Sequence, residues 1–250
     1  MKSIAAFAVA AALSLPAAFA QNNDSQVQTA AQKALGGSQF KDVHVTVQNG
    51  IADLTGTVDV YAARLNAQRK VQHVKGVTAI RDDIQVAGPE VPDQQLQAKL
   101  IQSIAYGLEG YVPVAFQAIS VGVQNGTVML AGHAAGPIAA SDAVAIVENT
   151  KGVKDVIDNI QVDPLSPMDN GIRMREFRAI YGNPMLSQYA MDPEKPIRIQ
   201  VENGHVTLYG TVQTQGQKNA AGVAANTVSG VFSVNNEIQV AGAQGEKASK

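Results

Sequence analysis

Three stretches of this chain repeat one ten-residue pattern, and no other feature limits its possible folds so tightly. They are Val47-Gln-Asn-Gly-Ile-Ala-Asp-Leu-Thr-Gly56, Val123-Gln-Asn-Gly-Thr-Val-Met-Leu-Ala-Gly132 and Val201-Glu-Asn-Gly-His-Val-Thr-Leu-Tyr-Gly210. A Gly-Val pair follows each at an equal interval, beginning at Gly76, Gly152 and Gly230, and each copy closes on Ile-Gln-Val at Val86, Val162 and Val240. Equal spacing with varied filler describes one folding unit used three times.

The local patterns give the order of elements within a unit. A helical stripe comes first: Val27, Ala31, Ala34 and Leu35 in copy one, Leu96, Leu100, Ile104 and Leu108 in copy two, Ile172, Phe177, Ile180 and Tyr181 in copy three. Asp93 is expected as the N-cap of the second of these helices. After Gly182-Asn-Pro184 a second short helix is expected over 185–191. Two strands of period two follow, with Val43, Val45 and Val47, then Ile119, Val121 and Val123, then Ile197, Ile199 and Val201 as the inward sets. The Asn-Gly pairs ending at Gly50, Gly126 and Gly204 predict type I′ hairpin turns. On the return strands Gly56, Gly132 and Gly210 share the apolar face, where a glycine admits a helix backbone or marks a bulge. A second helix and a third strand complete the unit, and Gly76, Gly152 and Gly230 stand where a left-handed C-cap belongs. The fold class is α+β: three tandem α-β-β-α-β units, each a two-layer sandwich whose third strand runs parallel to another through a crossover.

The units are expected at 25–88, 91–163 and 168–242, joined by proline-containing linkers at 87–92 and 163–167 and followed by a disordered tail at 243–250. Residues 1–20 read as a signal peptide: Lys2, an apolar run from Ile4 to Leu15, then Ala18-Phe19-Ala20 as the cleavage site. The expected product is periplasmic or secreted after cleavage near Ala20. It is not a lipoprotein and has no disulfide, because the chain has no cysteine. Charge is uneven. Residues 89–164 hold 3 basic and 8 acidic residues, whereas 165–250 hold 8 and 7. An anionic partner would therefore avoid the middle unit.

The pattern Asn-Gly-x-Val-x-Leu-x-Gly, then a helix, then a closing stretch such as Gly152-Val-Lys-Asp-Val-Ile-Asp-Asn-Ile-Gln-Val162 resembles the BON domain family. The resemblance extends over nearly all of residues 25–242. It implies an exported or envelope-associated, non-enzymatic protein that binds phospholipid or envelope proteins. Some members of that family act in stress protection or as periplasmic chaperones.

Reactive constellations are missing from the sequence itself. His44, His73, His133 and His205 have no metal-ligand spacing, and Asp82-Asp83 point to opposite faces of a strand. No Gly-x-Ser-x-Gly elbow or phosphate loop occurs. The expectation is no enzyme activity, no metal and no cofactor. Nucleic acid is not an expected partner, since the chain is acidic overall and reads as exported. One segment stands out: Arg173, Arg175 and Arg178 interleave with Phe177 and Tyr181. One reading makes these five residues a contact for an anionic phospholipid surface. The plainer reading puts Phe177, Ile180 and Tyr181 in the core and leaves the arginines as a solvated face. A protein-interaction or chaperone role through apolar grooves or sheet edges is the alternative to lipid.

Overall fold

The computed structural model describes residues 17–109, 113–164, 166–192 and 194–242. Most of the expected signal peptide and the whole of the expected tail lie outside them. Each copy opens with a helix: α1 (Ala17–Ala34), α3 (Asp93–Gly107) and α5 (Pro167–Tyr181). An antiparallel hairpin follows in each: β1 (Val43–Gln48) with β2 (Ile51–Val58), β4 (Ala118–Gln124) with β5 (Thr127–Ala134), β7 (Arg198–Glu202) with β8 (His205–Tyr209). The second helices are α2 (Tyr61–Gln72), α4 (Pro137–Glu148) and α6 (Gln215–Asn226), and the third strands β3 (Ala79–Val86), β6 (Asp155–Val162) and β10 (Ser233–Asn236). In copy three, β9 (Thr211–Val212) and β11 (Gln239–Val240) continue the second and third strands as a separate two-stranded piece.

The return strand of the hairpin is central in every sheet, with orders β1-β2-β3, β4-β5-β6 and β10-β8-β7. β6 runs parallel to β5, and β10 parallel to β8, as a strand reached through a crossover helix must. This is the α+β, two-layer architecture read from the repeat. The described residues form two compact bodies, one up to residue 58 with 63–85 and the other of residues 59–62 with those from 86 on. The second body therefore holds copies two and three.

The core of each copy is the set that period two and period 3.6 select. In copy two Leu96, Leu100, Ile104, Val128, Leu130, Ala143 and Val147 form one buried cluster. In copy three Ile172, Ile180, Ile199, Val201, Val206, Leu208, Ala221 and Ala225 do the same. The third strands are covered less well than the first: Ile84 is buried, but Val162 is 46% exposed.

The hairpin turns have the geometry that Asn-Gly supplies. Asn49, Asn125 and Asn203 have φ of 52, 53 and 51°, and Gly50, Gly126 and Gly204 have 76, 77 and 77°. What holds them was not read from the sequence. The Asp24 carboxylate accepts from the amides of Asn49 (2.6 Å) and Gly50 (3.0 Å). Asp93 accepts from Asn125 (2.7 Å) and Gly126 (3.0 Å), and Asp169 from Asn203 (3.0 Å) and Gly204 (2.8 Å). Asp93 is thus not an N-cap. Pro92 occupies that position without a side-chain cap, and the carboxylate of Asp93 turns to the hairpin.

At least one backbone group on each side of each sheet is also bonded by a side chain. On the first-strand side, Val47 N donates to Gln28 Oε1, Gln97 Nε2 donates to Val121 O, and Arg173 Nη2 donates to Val201 O. Counted from the clamping aspartates, Gln28, Gln97 and Arg173 hold the same helix position, four residues on. On the third-strand side, the amides of Ile84, Ile160 and Ile238 donate to the side chains of Asp82, Asp158 and Asn236 two residues earlier. Covering or capping an edge in this way removes a template for strand addition.

Three expectations change in detail. A Cβ at Gly56, Gly132 or Gly210 would run into the carbonyl of Asp42, Ala118 or Pro196, so the glycine makes room for the neighbouring strand's backbone rather than for a helix. The positive φ at these three residues marks the kink there. Gly76, Gly152 and Gly230 lie beyond the helix caps, in the turn that leads to the third strand. Asn149 caps α4 and Thr227 caps α6, both right-handed. The short helix expected over 185–191 is a single 3-10 turn, Ser187–Ala190.

Candidate functional site

The arginine-rich segment forms α5. Ser166 caps it, accepting from the amide of Asp169 at 3.2 Å, and Pro167 begins it. Ile172, Glu176 and Ile180, each one turn apart, face the core. Met168, Met174, Arg175 and Arg178 are exposed.

The helix therefore divides the five residues of the expected lipid contact. Arg173 is 1% exposed. Its guanidinium donates to Asp163 Oδ2 (3.1 Å), Asn170 Oδ1 (2.7 Å) and Val201 O (2.6 Å). Tyr181 is buried and donates its hydroxyl to Ile197 O at 2.6 Å, and Phe177 is half-buried. The rings of Phe116, Phe177 and Tyr181 pack edge to face, with centroids 6.0 and 4.8 Å apart. Arg173 and Tyr181 are thus corrections to the surface reading, since their polar ends are used inside the body. Arg175 and Arg178 keep their place on the surface, with Arg175 donating from Nε and Nη2 to Ser229 O.

Asp163 is the centre of the buried network. It ends copy two, with its amide bonded to Ala134 O, and its carboxylate serves copy three through Arg173. His133 Nδ1 donates to Asp163 Oδ1 at 3.0 Å, and Gln200 Nε2 donates to the same oxygen at 3.4 Å. Tyr209 closes the chain by donating to Gln200 Oε1 at 3.0 Å, and burial pushes its hydroxyl pKa up. Arg198 donates to the Gln117 carbonyl, and burial lowers its pKa, opposed by the Tyr181 oxygen. This arrangement binds and orients. Among the described residues no group of three His, Cys, Asp or Glu side chains is placed to hold a metal ion.

Glu176 is the outlier. It is fully buried, and neither carboxylate oxygen has a hydrogen-bond partner. Burial pushes its pKa from 4.5 to about 8, with Arg175 opposing. Seven residues on from the clamping aspartate, copies one and two place Ala31 and Leu100 there. At neutral pH this core position of copy three holds a neutral carboxylic acid.

Helix positions counted from the clamping aspartate single out Arg173 and Glu176 only once the clamp itself is known. The clamp lies 25, 32 and 34 residues from its turn in the three copies, so the motif spacing does not show it.

A sequence model of the BON domain matches residues 23–88, 92–164 and 186–242. Two solved structures of CdsD, a structural protein of the type III secretion system of Chlamydia trachomatis, are similar to this chain at 14% identity. The alignments cover 86% of this chain and 92% and 96% of those chains, with TM-scores of 0.23 and 0.25. A search of curated proteins finds no match.

Proposed function

We propose, for a chain that belongs to the BON domain family and carries its domain three times, non-catalytic work at the cell envelope: peripheral attachment to anionic phospholipid through copy three. One observation carries the reading. The outward face of α5 presents Arg175 and Arg178 beside the exposed Met168 and Met174, while both acids of that helix, Asp169 and Glu176, are buried. A face with cations, flexible apolar side chains and no carboxylate suits a layer of anionic headgroups above acyl chains. Among the described residues no helix is long and apolar enough to cross a membrane, so attachment through this face is from one side.

The protein-interaction alternative through sheet edges is the weaker one. Helix side chains cover the first-strand edge, and Asp82, Asp158 and Asn236 cap amides of the third strands.

Each arginine near an anionic surface contributes about 1 kcal/mol, so Arg175→Ala with Arg178→Ala should weaken binding by roughly 30-fold. The measurement is co-sedimentation with phosphatidylglycerol vesicles at low salt, with phosphatidylcholine vesicles as reference and circular dichroism as folding control. Equal binding by variant and parent would refute this surface, and no binding by the parent would refute the lipid reading.

A further inference from the structure

The repeat places one side chain at the same spot in each copy. The first residue after the Gly-Val pair donates its amide to the turn glycine's carbonyl: Thr78 to Gly50, Lys154 to Gly126, Phe232 to Gly204. Its side chain then rests against that glycine, since a Cβ on Gly50, Gly126 or Gly204 would meet Thr78, Lys154 or Phe232. A fixed scaffold with a varied tip is where specificity is set.

In copy three the tip is a phenylalanine, and it is 71% exposed. Leaving a ring of this size in water forgoes the burial that elsewhere stabilises the fold. Phe232 does not stand alone. Arg175 reaches the same end of the unit, bonding Ser229 O, with its guanidinium beside Gly230. Met168, also exposed, directly precedes the Asp169 that clamps the turn under the ring. The His205 ring lies 5.9 Å from Phe232 with its Nδ1 against Ser233 Oγ, and the hairpin's acid, Glu202, stands opposite His205 in the backbone register. In copies one and two the corresponding place is an open groove between helix start, turn and Gly-Val cap, lined by Lys75 in one and Lys154 in the other.

We infer that Phe232 is an apolar wedge that enters the acyl region of an anionic bilayer while Arg175 meets the headgroups, so that copy three docks with its Asn203–Gly204 turn end toward the membrane. This rests on the lipid reading above and adds the orientation and the inserting residue. The ligand is the bilayer surface, because a soluble anion would engage Arg175 but leave the ring in water.

The protein has no tryptophan, so Phe232→Trp is a single reporter at the tip. Ile138→Trp, on an exposed position of α4 in copy two, is the reference. With phosphatidylglycerol vesicles the Phe232→Trp emission should shift to the blue and be quenched by brominated acyl chains, while the Ile138→Trp emission should do neither. Phe232→Asp should weaken co-sedimentation about tenfold to a hundredfold, the range expected for exposing one large apolar side chain. Its dichroism should be unchanged. Sedimentation of Phe232→Trp with vesicles but without quenching overturns the wedge and leaves the lipid reading standing. No sedimentation of the parent overturns both. A concentration-dependent blue shift without vesicles assigns Phe232 to contact with a second copy and overturns the wedge.

Discussion

Glu176 shows how one residue in a repeat can set a pH dependence for the whole unit. An isolated carboxylate in an apolar core costs far more than the neutral acid, so the fold keeps the proton. The direction follows from comparing states. Below about 4.5, the ordinary value, both folded and unfolded chains hold the proton and this group has no effect on stability. Between 4.5 and about 8 the unfolded chain releases it while the folded chain retains it, so stability falls as pH rises, by up to about 1.4 kcal/mol per pH unit. Above about 8 the loss levels off. Glu176→Gln should abolish that decline, and Glu176→Leu, which copies Leu100 of the second unit, should also raise stability at pH 8. Urea denaturation of the full chain, followed from pH 5 to 9, tests this. A parent as pH-dependent as Glu176→Gln would show that the carboxyl finds a partner and ionises inside.

At the scale of elements, the aspartate clamp joins the first helix to the hairpin turn in all three copies. Each carboxylate takes two amides of a turn whose own residues leave them free. Charge-assisted bonds of this kind are worth about 1.5–3 kcal/mol when buried and less when wet. Asp93→Ala should therefore cost copy two about 1–3 kcal/mol, and Asp93→Asn, which keeps one acceptor oxygen, should cost less. Chemical denaturation checks the order. Asp93→Ala unfolding within 0.5 kcal/mol of the parent would mean that the Asn-Gly turn needs no support. The clamp also explains what a reader of the sequence sees and does not see. Turns, strand faces and helix stripes repeat at short range, so Asn125-Gly126, Val128 and Leu130, or Leu96 and Leu100, can be read directly. The clamp pairs residues across a segment that changes length from copy to copy, and no short pattern records it. Similarly, Arg173 reads as a solvated residue of a basic helix because its partner, Asp163, comes from another element, whereas the plainer reading already put Tyr181 in the core, where its hydroxyl meets Ile197. The exposure of Arg175 and Arg178 and the i, i+4 contact of Phe177 with Tyr181 needed only the helix itself.

At the scale of the molecule, copies two and three share one compact body, and the Asp163–Arg173 pair joins them across the linker. Both partners are almost wholly buried, so the pair contributes little net stability compared with an apolar filling, yet breaking it is costly. Asp163→Ala would leave the Arg173 guanidinium inside the body with Asn170 and a carbonyl but no countercharge. The expected cost is about 3–5 kcal/mol, and it should fall on both copies. His133 and Gln200 lose their acceptor on the copy-two and copy-three sides at once. Hydrogen exchange resolves where the loss lands. Amides of β5 and β6 in copy two and of β7 and α5 in copy three should all exchange faster in Asp163→Ala by a similar factor, because they open as one cooperative unit. Asp163→Ala paired with Arg173→Met, which removes the stranded charge and keeps the bulk, should recover much of that protection. Faster exchange confined to α5, with β5 and β6 unchanged, would show that the two copies open separately and that the network orders copy three alone.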